Sequence, residues 1–263
     1  AELYTDLAFL SANQALGEEV AEVFNDLALE KVTTQTDRLL AAPCRFKSVL
    51  MDEIQREIDA KRAGREAAIL LKCNSVSDRD LILKLSEASC AGITVDMIVR
   101  GICCFKAGMP GQTEHIQVHS IVGRYLEHSR IYVFGTGENQ RVYIASGDFL
   151  TRNTERRVEI GVRIEDAAIK KMLIDILQCQ LKDNVNTRLM QQDGTYIKVK
   201  RAGGEEIVDG QMEMYHYFAD AWNHYYMAYR AELSAKECKR LLRPAGRKGT
   251  LLGRLISLIK GKA

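Results

Sequence analysis

The stretch EAAILLKCNSVSDRDLILKLSEASCAGITVDMIVRG, residues 66–101, decides the fold. It opens with a short apolar run over 66–74 and closes with another over 93–101, and both runs are typical of buried strands. Between them, Ser77 is a candidate helix cap, acidic residues follow it, and Gly92 is a candidate terminator. A strand, a helix and a strand in this order predict a parallel pair joined by a right-handed crossover.

The segments on either side predict a mixed α/β architecture. Further strands are predicted over 115–122, 129–135, 141–146 and 156–164, of which the second and third form a hairpin across a glycine-rich turn. Helical periodicity is present over 17–30, 46–63 and 165–183, and an aromatic-rich helix is predicted to pack over 205–230. An irregular connector containing Pro43 joins the first two helices. The fold class predicted for the centre of the chain is therefore α/β.

Composition narrows the class of protein. The chain has 263 residues, of which 46% are apolar and 27% charged, and its net charge is only +2. These values are typical of a soluble globular protein, and any anion site must be a local cluster rather than a property of the whole chain. Seven cysteines without a Cys-x-x-Cys spacing predict reduced thiols in a cytosolic protein.

The start of the sequence and its basic C-terminal segment lead to two different predictions. The chain begins AELYTDLAFLSAN, without an initiator methionine, and we expect it to be part of a longer protein. No apolar run reaches the roughly 18 residues that span a bilayer. The basic, amphipathic segment over 239–262 predicts either peripheral contact with a membrane or partner, or an exposed tail.

His128 has the most informative neighbourhood of the five histidines. Arg100 ends a predicted strand, and Arg124 and Arg130 lie on either side of His128. The run SGDFLTRNTERR, 146–157, adds further polar and basic residues after another strand. In α/β sheets, ligands bind beyond the carboxyl ends of strands, so these groups predict one shared site.

Phosphate is the ligand that this set of side chains favours. Guanidinium groups bind phosphate oxygens bidentately, and several unpaired arginines around one pocket repel one another unless an anion is present. A histidine can donate or accept a proton near neutral pH, and Glu127 and Asp148 are candidate acidic neighbours of His128. Surface ion pairs with Glu127, Glu155 and Glu159 remain an alternative. His115 and His119 are predicted about 13 Å apart on one strand, too far for one zinc ion.

Several long runs resemble the polyphosphate kinase family, the ATP–polyphosphate phosphotransferases with histidine chemistry. They are LYTDLAFL at 3–10, LKCNSVSD at 71–78, AGITVDMIVRGICC at 91–104, IQVHSIVGRYLEHSRIYVF at 116–134 and YIASGDFLTRNTERRVEIGVRIED at 143–166. The resemblance implies a phospholipase D-like mixed sheet flanked by helices, with added C-terminal helices. It divides the chain into the end of a preceding catalytic domain with a connector (1–45), a C-terminal catalytic domain (46–200), and a helical extension with a basic tail (201–263).

Two motifs depart from the wider superfamily pattern. The run HSR resembles a His-x-Lys signature in which Arg130 replaces lysine, and ASGDFLTRN resembles a Gly-Ser-x-Asn segment in which Asp148 stands where many relatives have asparagine. An arginine suits polyphosphate because its planar fork matches phosphate oxygens.

The resemblance implies a role for each matching residue. Tyr4 matches a nucleotide-contacting tyrosine, Arg100 an ATP-phosphate-binding arginine, and His128 the family's second histidine, which binds ATP and acts as acid–base partner. The full expected ATP- and phosphate-binding set is Tyr4, Arg100, Arg124, His128, Arg130, Asp148 and Arg152. The family's phosphorylated histidine is expected upstream of Ala1, so this chain alone is expected to be inactive.

The function implied is reversible transfer of the terminal phosphate of ATP to polyphosphate in a cytoplasmic enzyme. The expected partners are ATP or ADP, polyphosphate, the N-terminal half of the same protein and further copies of it, without nucleic acid. Mg²⁺ is the implied cofactor, with no ligand identified in this chain. Two alternatives stay open: a phospholipase D-like phosphodiesterase half-site, and a non-catalytic nucleotide- or polyphosphate-binding module.

Overall fold

The computed structural model describes residues 3–232, and their side chains as far as residue 223. Its strands are β1 (Tyr4–Thr5), β2 (Leu39–Ala41), β3 (Ala68–Cys73), β4 (Thr94–Val99), β5 (Ile116–Ile121), β6 (Leu126–Glu127), β7 (Arg130–Phe134), β8 (Arg141–Ala145), β9 (Ile160–Ile164), β10 (Thr187–Met190) and β11 (Tyr196–Lys198). Its helices are α1 (Gln14–Ala28), α2 (Phe46–Arg62), α3 (Arg79–Cys90), α4 (Thr151–Glu155), α5 (Ala167–Leu181) and α6 (Gly210–Glu232).

Nine strands form one mixed sheet in the order β11-β10-β5-β4-β3-β7-β8-β9-β2. Strands β3, β4 and β5 are parallel, and the other neighbouring pairs are antiparallel. The predicted parallel pair and the predicted hairpin of β7 and β8 are both present. The expected α/β fold, with a mixed sheet flanked by helices, is confirmed.

The strand–helix–strand stretch folds as its sequence predicts, with one correction. Helix α3 is capped by Asp78, whose carboxylate accepts hydrogen bonds from the backbone N–H groups of Asp80 and Leu81 at 3.1 and 3.2 Å. The predicted cap at Ser77 is therefore wrong by one residue. Gly92 follows the helix with a φ of +81°, a left-handed conformation that glycine adopts at little cost.

The main core lies between the sheet and helices α2 and α3. Phe46, Leu50 and Ile54 of α2 are fully buried against the odd-numbered residues of β3, including Leu71. Each such side chain contributes about 1.5–3 kcal/mol to stability by leaving water. Side chains alternate along a strand, so Lys72 of β3 lies on the opposite face. Helix α5 reaches that face through Gln180, which belongs to the same hydrogen-bond network as Lys72.

Two predictions about the flanking segments are wrong. The connector around Pro43 was predicted to be irregular, but it contains β2, which pairs with β9 at the edge of the sheet. The aromatic helix was predicted to pack, but Tyr215, Tyr217, Phe218 and Trp222 of α6 are 39–57% exposed.

The chain divides into two compact units, one ending at Glu213 and one beginning at Met214. The three-part division implied by the resemblance stays a prediction. The basic segment over 239–262 and the side chains of Tyr225, Tyr226 and Tyr229 lie outside the described residues. Within residues 3–232, no helix is long and apolar enough to cross a membrane. The six cysteines in that part of the chain are free thiols, as predicted.

Candidate functional site

The site forms at one edge of the sheet because strands of the same direction end there. Strands β3, β4 and β8 point the same way, and β7 runs opposite to its neighbours β3 and β8. Asn74 therefore follows β3 at the edge where Arg100 follows β4, where Asp148 follows β8, and where Arg130 begins β7. The sequence predicted this convergence for Arg100, Arg130 and Asp148, but not for Asn74.

Arg130 and Asp148 form a nearly buried ion pair at this edge. The Arg130 Nε donates to Asp148 Oδ1 at 3.1 Å, and Nη2 lies 3.5 Å from Oδ2, so the guanidinium fork faces both carboxylate oxygens. The two side chains are only 12% and 9% exposed. The backbone N–H of Asn74 also donates to Asp148 Oδ1 at 2.7 Å. Asp148, which stands where many relatives have asparagine, thus holds Arg130, which replaces the lysine of the His-x-Lys signature.

His128 is held by three neighbours. Its Nδ1 lies 2.7 Å from Asp6 Oδ2, and its backbone carbonyl accepts a hydrogen bond from Arg130 Nη1 at 2.7 Å. The same Nη1 lies 3.3 Å from each ring nitrogen. The Tyr4 ring meets the His128 ring edge-on, with centroids 5.1 Å apart. The acid that contacts the His128 ring is therefore Asp6, and not Glu127 or Asp148.

The electrostatics of Asp6 reflect this contact. Partial burial raises the pKa of the Asp6 carboxyl, but its hydrogen bonds from His128 and from the Leu7 backbone, together with the nearby charges of His128 and Arg130, bring the pKa below its ordinary value. Asp6 is therefore ionised at neutral pH. An ionised acceptor at Nδ1 favours a proton on that nitrogen, whereas Nε2 has only the longer contact of 3.3 Å with Arg130 Nη1.

A cavity of about 520 Å³ opens beside His128. The expected site residues that line it are His128, Arg130, Asp148 and Arg152, and further polar lining residues are Asp6, Ser146, Asn153, Arg157 and Glu159. Within the described part of the chain, Arg152 and Arg157 have no ion-pair partner. Two unpaired guanidinium groups beside a cavity make it favourable for an anion.

The remaining expected residues are placed differently. Arg100 lies next to the cavity, where its Nε donates to Asn74 Oδ1 at 3.0 Å and to the backbone carbonyl of Glu127. Arg124 is exposed, with its guanidinium carbon 5.6 Å from the centroid of the Tyr125 ring, and it does not line the cavity. The structure therefore brings five of the other six expected residues close to His128 and leaves Arg124 apart.

The sequence analysis missed a buried network directly behind the site. The ammonium of Lys72 contacts the Glu127 carboxylate, and each side chain is only 3% exposed. The same carboxylate accepts hydrogen bonds from Thr5 Oγ1, Gln180 Nε2 and Gln211 Nε2 at 2.9, 2.8 and 2.7 Å. A lysine inside the apolar run AILLKC was the available signal, because a buried charge requires a partner.

Glu127 is the anionic member of this network. Burial raises the pKa of its carboxyl. The charge and hydrogen bond of Lys72, together with the hydrogen bonds from Gln211 and Thr5, outweigh this and bring the pKa below its ordinary value. Burial lowers the pKa of the Lys72 ammonium, and the adjacent Glu127 carboxylate opposes that change. The pair is therefore an ion pair with further donors around the acid.

The described residues do not include a cluster of protein ligands for the implied Mg²⁺. Among residues 3–223 there is no group of three or more histidine, cysteine, aspartate or glutamate side chains close enough to hold a metal ion. Asp6 and Asp148, which line the cavity, already contact His128 and Arg130. The implied Mg²⁺ stays a prediction.

Most of this chain is similar in sequence to known proteins. The family model described as "Polyphosphate kinase C-terminal domain 2" matches residues 39–211. The polyphosphate kinase of Staphylococcus saprophyticus is 43% identical over 196 residues, which are 74% of this chain and 27% of that protein. That of Halalkalibacterium halodurans is 40% identical over 215 residues, which are 82% of this chain and 30% of that protein.

A solved structure of a polyphosphate kinase also resembles this chain. The crystal structure of polyphosphate kinase from Porphyromonas gingivalis superposes with a TM-score of 0.76 at 33% identity, covering 80% of this chain and 32% of that one. The chain thus spans less than a third of the length of each of these three relatives.

Proposed function

Because the chain belongs to the polyphosphate kinase family, we propose that it is the C-terminal part of an ATP:polyphosphate phosphotransferase. The reaction is reversible transfer of the terminal phosphate of ATP to polyphosphate, through a phosphohistidine outside this chain. The observation that carries the proposal is the cavity of about 520 Å³ in which His128 lies beside Arg130, Arg152 and Arg157.

Phosphoryl transfer depends mainly on positioning and on neutralisation of charge. Arg152 and Arg157 have no acidic partner within the described residues, so their guanidinium groups are available to phosphate oxygens. Arg130 is fixed by Asp148 and adds positive charge beside His128. These three groups hold the phosphates while the terminal group moves in line to its acceptor.

His128 is the proposed acid–base residue of this half-site. With Nδ1 bound to Asp6, Nε2 keeps only a longer contact of 3.3 Å with Arg130 Nη1. When protonated, Nε2 can donate to a phosphate oxygen, and when unprotonated it can accept a proton. The exposed Tyr4 ring beside His128 supports a contact with the nucleotide, and Arg100 supports a contact with its phosphates, as the resemblance implies. Mg²⁺, a cytoplasmic location and a homo-oligomer are further expectations of the resemblance.

The experiment that tests the function replaces His128 in the full-length protein. We expect His128→Ala to lower ATP-dependent polyphosphate synthesis by at least about 100-fold, because positioned acid–base catalysis contributes on the order of 10²–10⁴ in rate. His115→Ala is the matched control, since His115 is exposed and does not line the cavity. Near-normal synthesis by His128→Ala would remove this half-site from the reaction.

A further inference from the structure

The two-residue strand β1 carries Tyr4 and leads into Asp6, the two residues that contact the His128 ring from the outer side of the site. It pairs in parallel with β6, with Tyr4 opposite Leu126 and Thr5 opposite Glu127. Two backbone hydrogen bonds hold it, from Leu126 N to Leu3 O at 2.9 Å and from His128 N to Thr5 O at 3.0 Å. A strand this short gains little from its own backbone bonds, so its position depends on additional anchors.

Alternation along β1 separates an anchoring residue from two site residues. Side chains of consecutive strand residues point to opposite sides, so Tyr4 and Thr5 face opposite ways, and Asp6, directly after the strand, returns to the side of Tyr4. Tyr4 and Asp6 contact His128. Thr5 instead directs its hydroxyl to the buried Glu127 carboxylate, to which it donates at 2.9 Å.

Glu127 is well suited to be a fixed point for this anchor. Its carboxylate is bound to Lys72 of β3, to Gln180 of α5 and to Gln211 at the start of α6. Its backbone carbonyl accepts a hydrogen bond from Arg100. Residues of β3, α5 and α6, together with Arg100 directly after β4, therefore hold the residue directly before His128, and none of these polar partners lines the cavity.

We propose that Thr5 is a positioning residue whose hydroxyl fastens β1 to the buried Glu127–Lys72 ion pair, and so holds Tyr4 and Asp6 against His128. The inference rests on the proposed function, because it assigns Tyr4 to the nucleotide. Without the hydroxyl, β1 loses its tie to the buried ion pair, and its backbone bonds to β6 and the contacts of Tyr4 and Asp6 with His128 are left to hold it. The two site residues are then less firmly held at their distance from His128. Hydrogen bonds to charged groups are among the stronger ones in proteins.

The test compares two donors to the same carboxylate oxygen in the full-length protein. Thr5 Oγ1 and Gln180 Nε2 both donate to Glu127 Oε2, at 2.9 and 2.8 Å, but only Thr5 belongs to β1. We expect Thr5→Val to raise the KM for ATP on the order of tenfold, the factor for one hydrogen bond to a charged group. Thr5→Ser should restore the KM to about twofold of wild type, and Gln180→Met should leave it within the same range.

Equal KM values for Thr5→Val and Gln180→Met, both changed or both unchanged, would overturn the positioning role. So would a Thr5→Ser variant as impaired as Thr5→Val, since it retains the hydroxyl. Thr5→Ala replaces Thr5→Val should the latter not fold. The outcome is separable from the proposed function: normal synthesis by His128→Ala defeats the function, whereas equal KM values with an inactive His128→Ala defeat only the role of Thr5.

Discussion

At the scale of single residues, the buried pair of Arg130 and Asp148 ties two strand ends together. Removing one partner of a buried ion pair leaves the other charge without compensation, which costs about 3–5 kcal/mol. We therefore expect Asp148→Asn to lower the free energy of unfolding by about 3 kcal/mol, near the low end because asparagine can still accept from the backbone of Asn74. Urea denaturation of the chain, followed by circular dichroism, measures this loss.

A matched control removes an equivalent charge from an exposed pair. Arg163 Nε lies 3.1 Å from Glu165 Oε1, and both side chains are exposed. Exposed pairs contribute roughly 0–1 kcal/mol, so Glu165→Gln should have an effect within that range. A similar loss in the two variants would mean that burial does not strengthen the Arg130–Asp148 contact.

Whether a site residue could be predicted depends on how far apart its partners lie along the chain. His128, Arg130, Asp148 and Arg152 were predictable because strand ends and basic clusters are local features of the sequence. The contact of Asp6 with His128 joins residues 122 positions apart, and no local pattern encodes it. Arg124 illustrates the converse, since its closeness to His128 in sequence does not bring it to the cavity.

At the scale of elements, strands β1, β2 and β6 are among those that the sequence did not reveal. Strands β1, β2 and β6 have two or three residues, too few for a periodic pattern, and each exists because a distant segment offers it backbone partners. The long apolar runs of β3 and β4 were predictable, as was α3 apart from its cap. Only pairing in three dimensions shows that β1 brings Tyr4 to His128.

The ion pair of Lys72 and Glu127, with its hydrogen-bond partners, joins five elements, β1, β3, β6, α5 and α6, and allows a prediction at the same scale. Glu127→Gln leaves the ammonium of Lys72 buried without a charged partner, so we expect a loss of about 3–5 kcal/mol in the free energy of unfolding. The double variant Glu127→Gln with Lys72→Met removes both charges and should recover most of that loss. Thermal and urea unfolding of the wild type, Glu127→Gln, Lys72→Met and the double variant measure the coupling, and additive losses in the double variant would contradict it.

At the scale of the whole molecule, the resemblance of long runs predicted the family, because those runs carry the site as well as the strands that position it. The sequence could not show that Arg152 and Arg157 share one cavity wall, which depends on the turn of α4 after β8. Their position allows a prediction about the chain as a separate molecule. We expect it to bind ATP without synthesising polyphosphate, since the phosphohistidine is proposed to lie outside it.

Binding and synthesis are measured on the same preparation of residues 1–263. Titration calorimetry with ATP should show binding that weakens as salt rises, because charges near the surface are screened within about 10 Å at 0.1 M ionic strength. Arg152→Gln with Arg157→Gln should weaken it by roughly tenfold or more, given about 1.5–3 kcal/mol for each well-formed bond to a charged group and less where solvent reaches it. Arg65→Gln with Arg188→Gln removes the same charge from exposed positions outside the cavity and should have little effect.

Two outcomes would contradict these expectations. Equal weakening of ATP binding by the two double variants would show that net charge, rather than this cavity, attracts the nucleotide. Rapid polyphosphate synthesis by the chain alone would contradict the proposal that the phosphorylated histidine lies outside it.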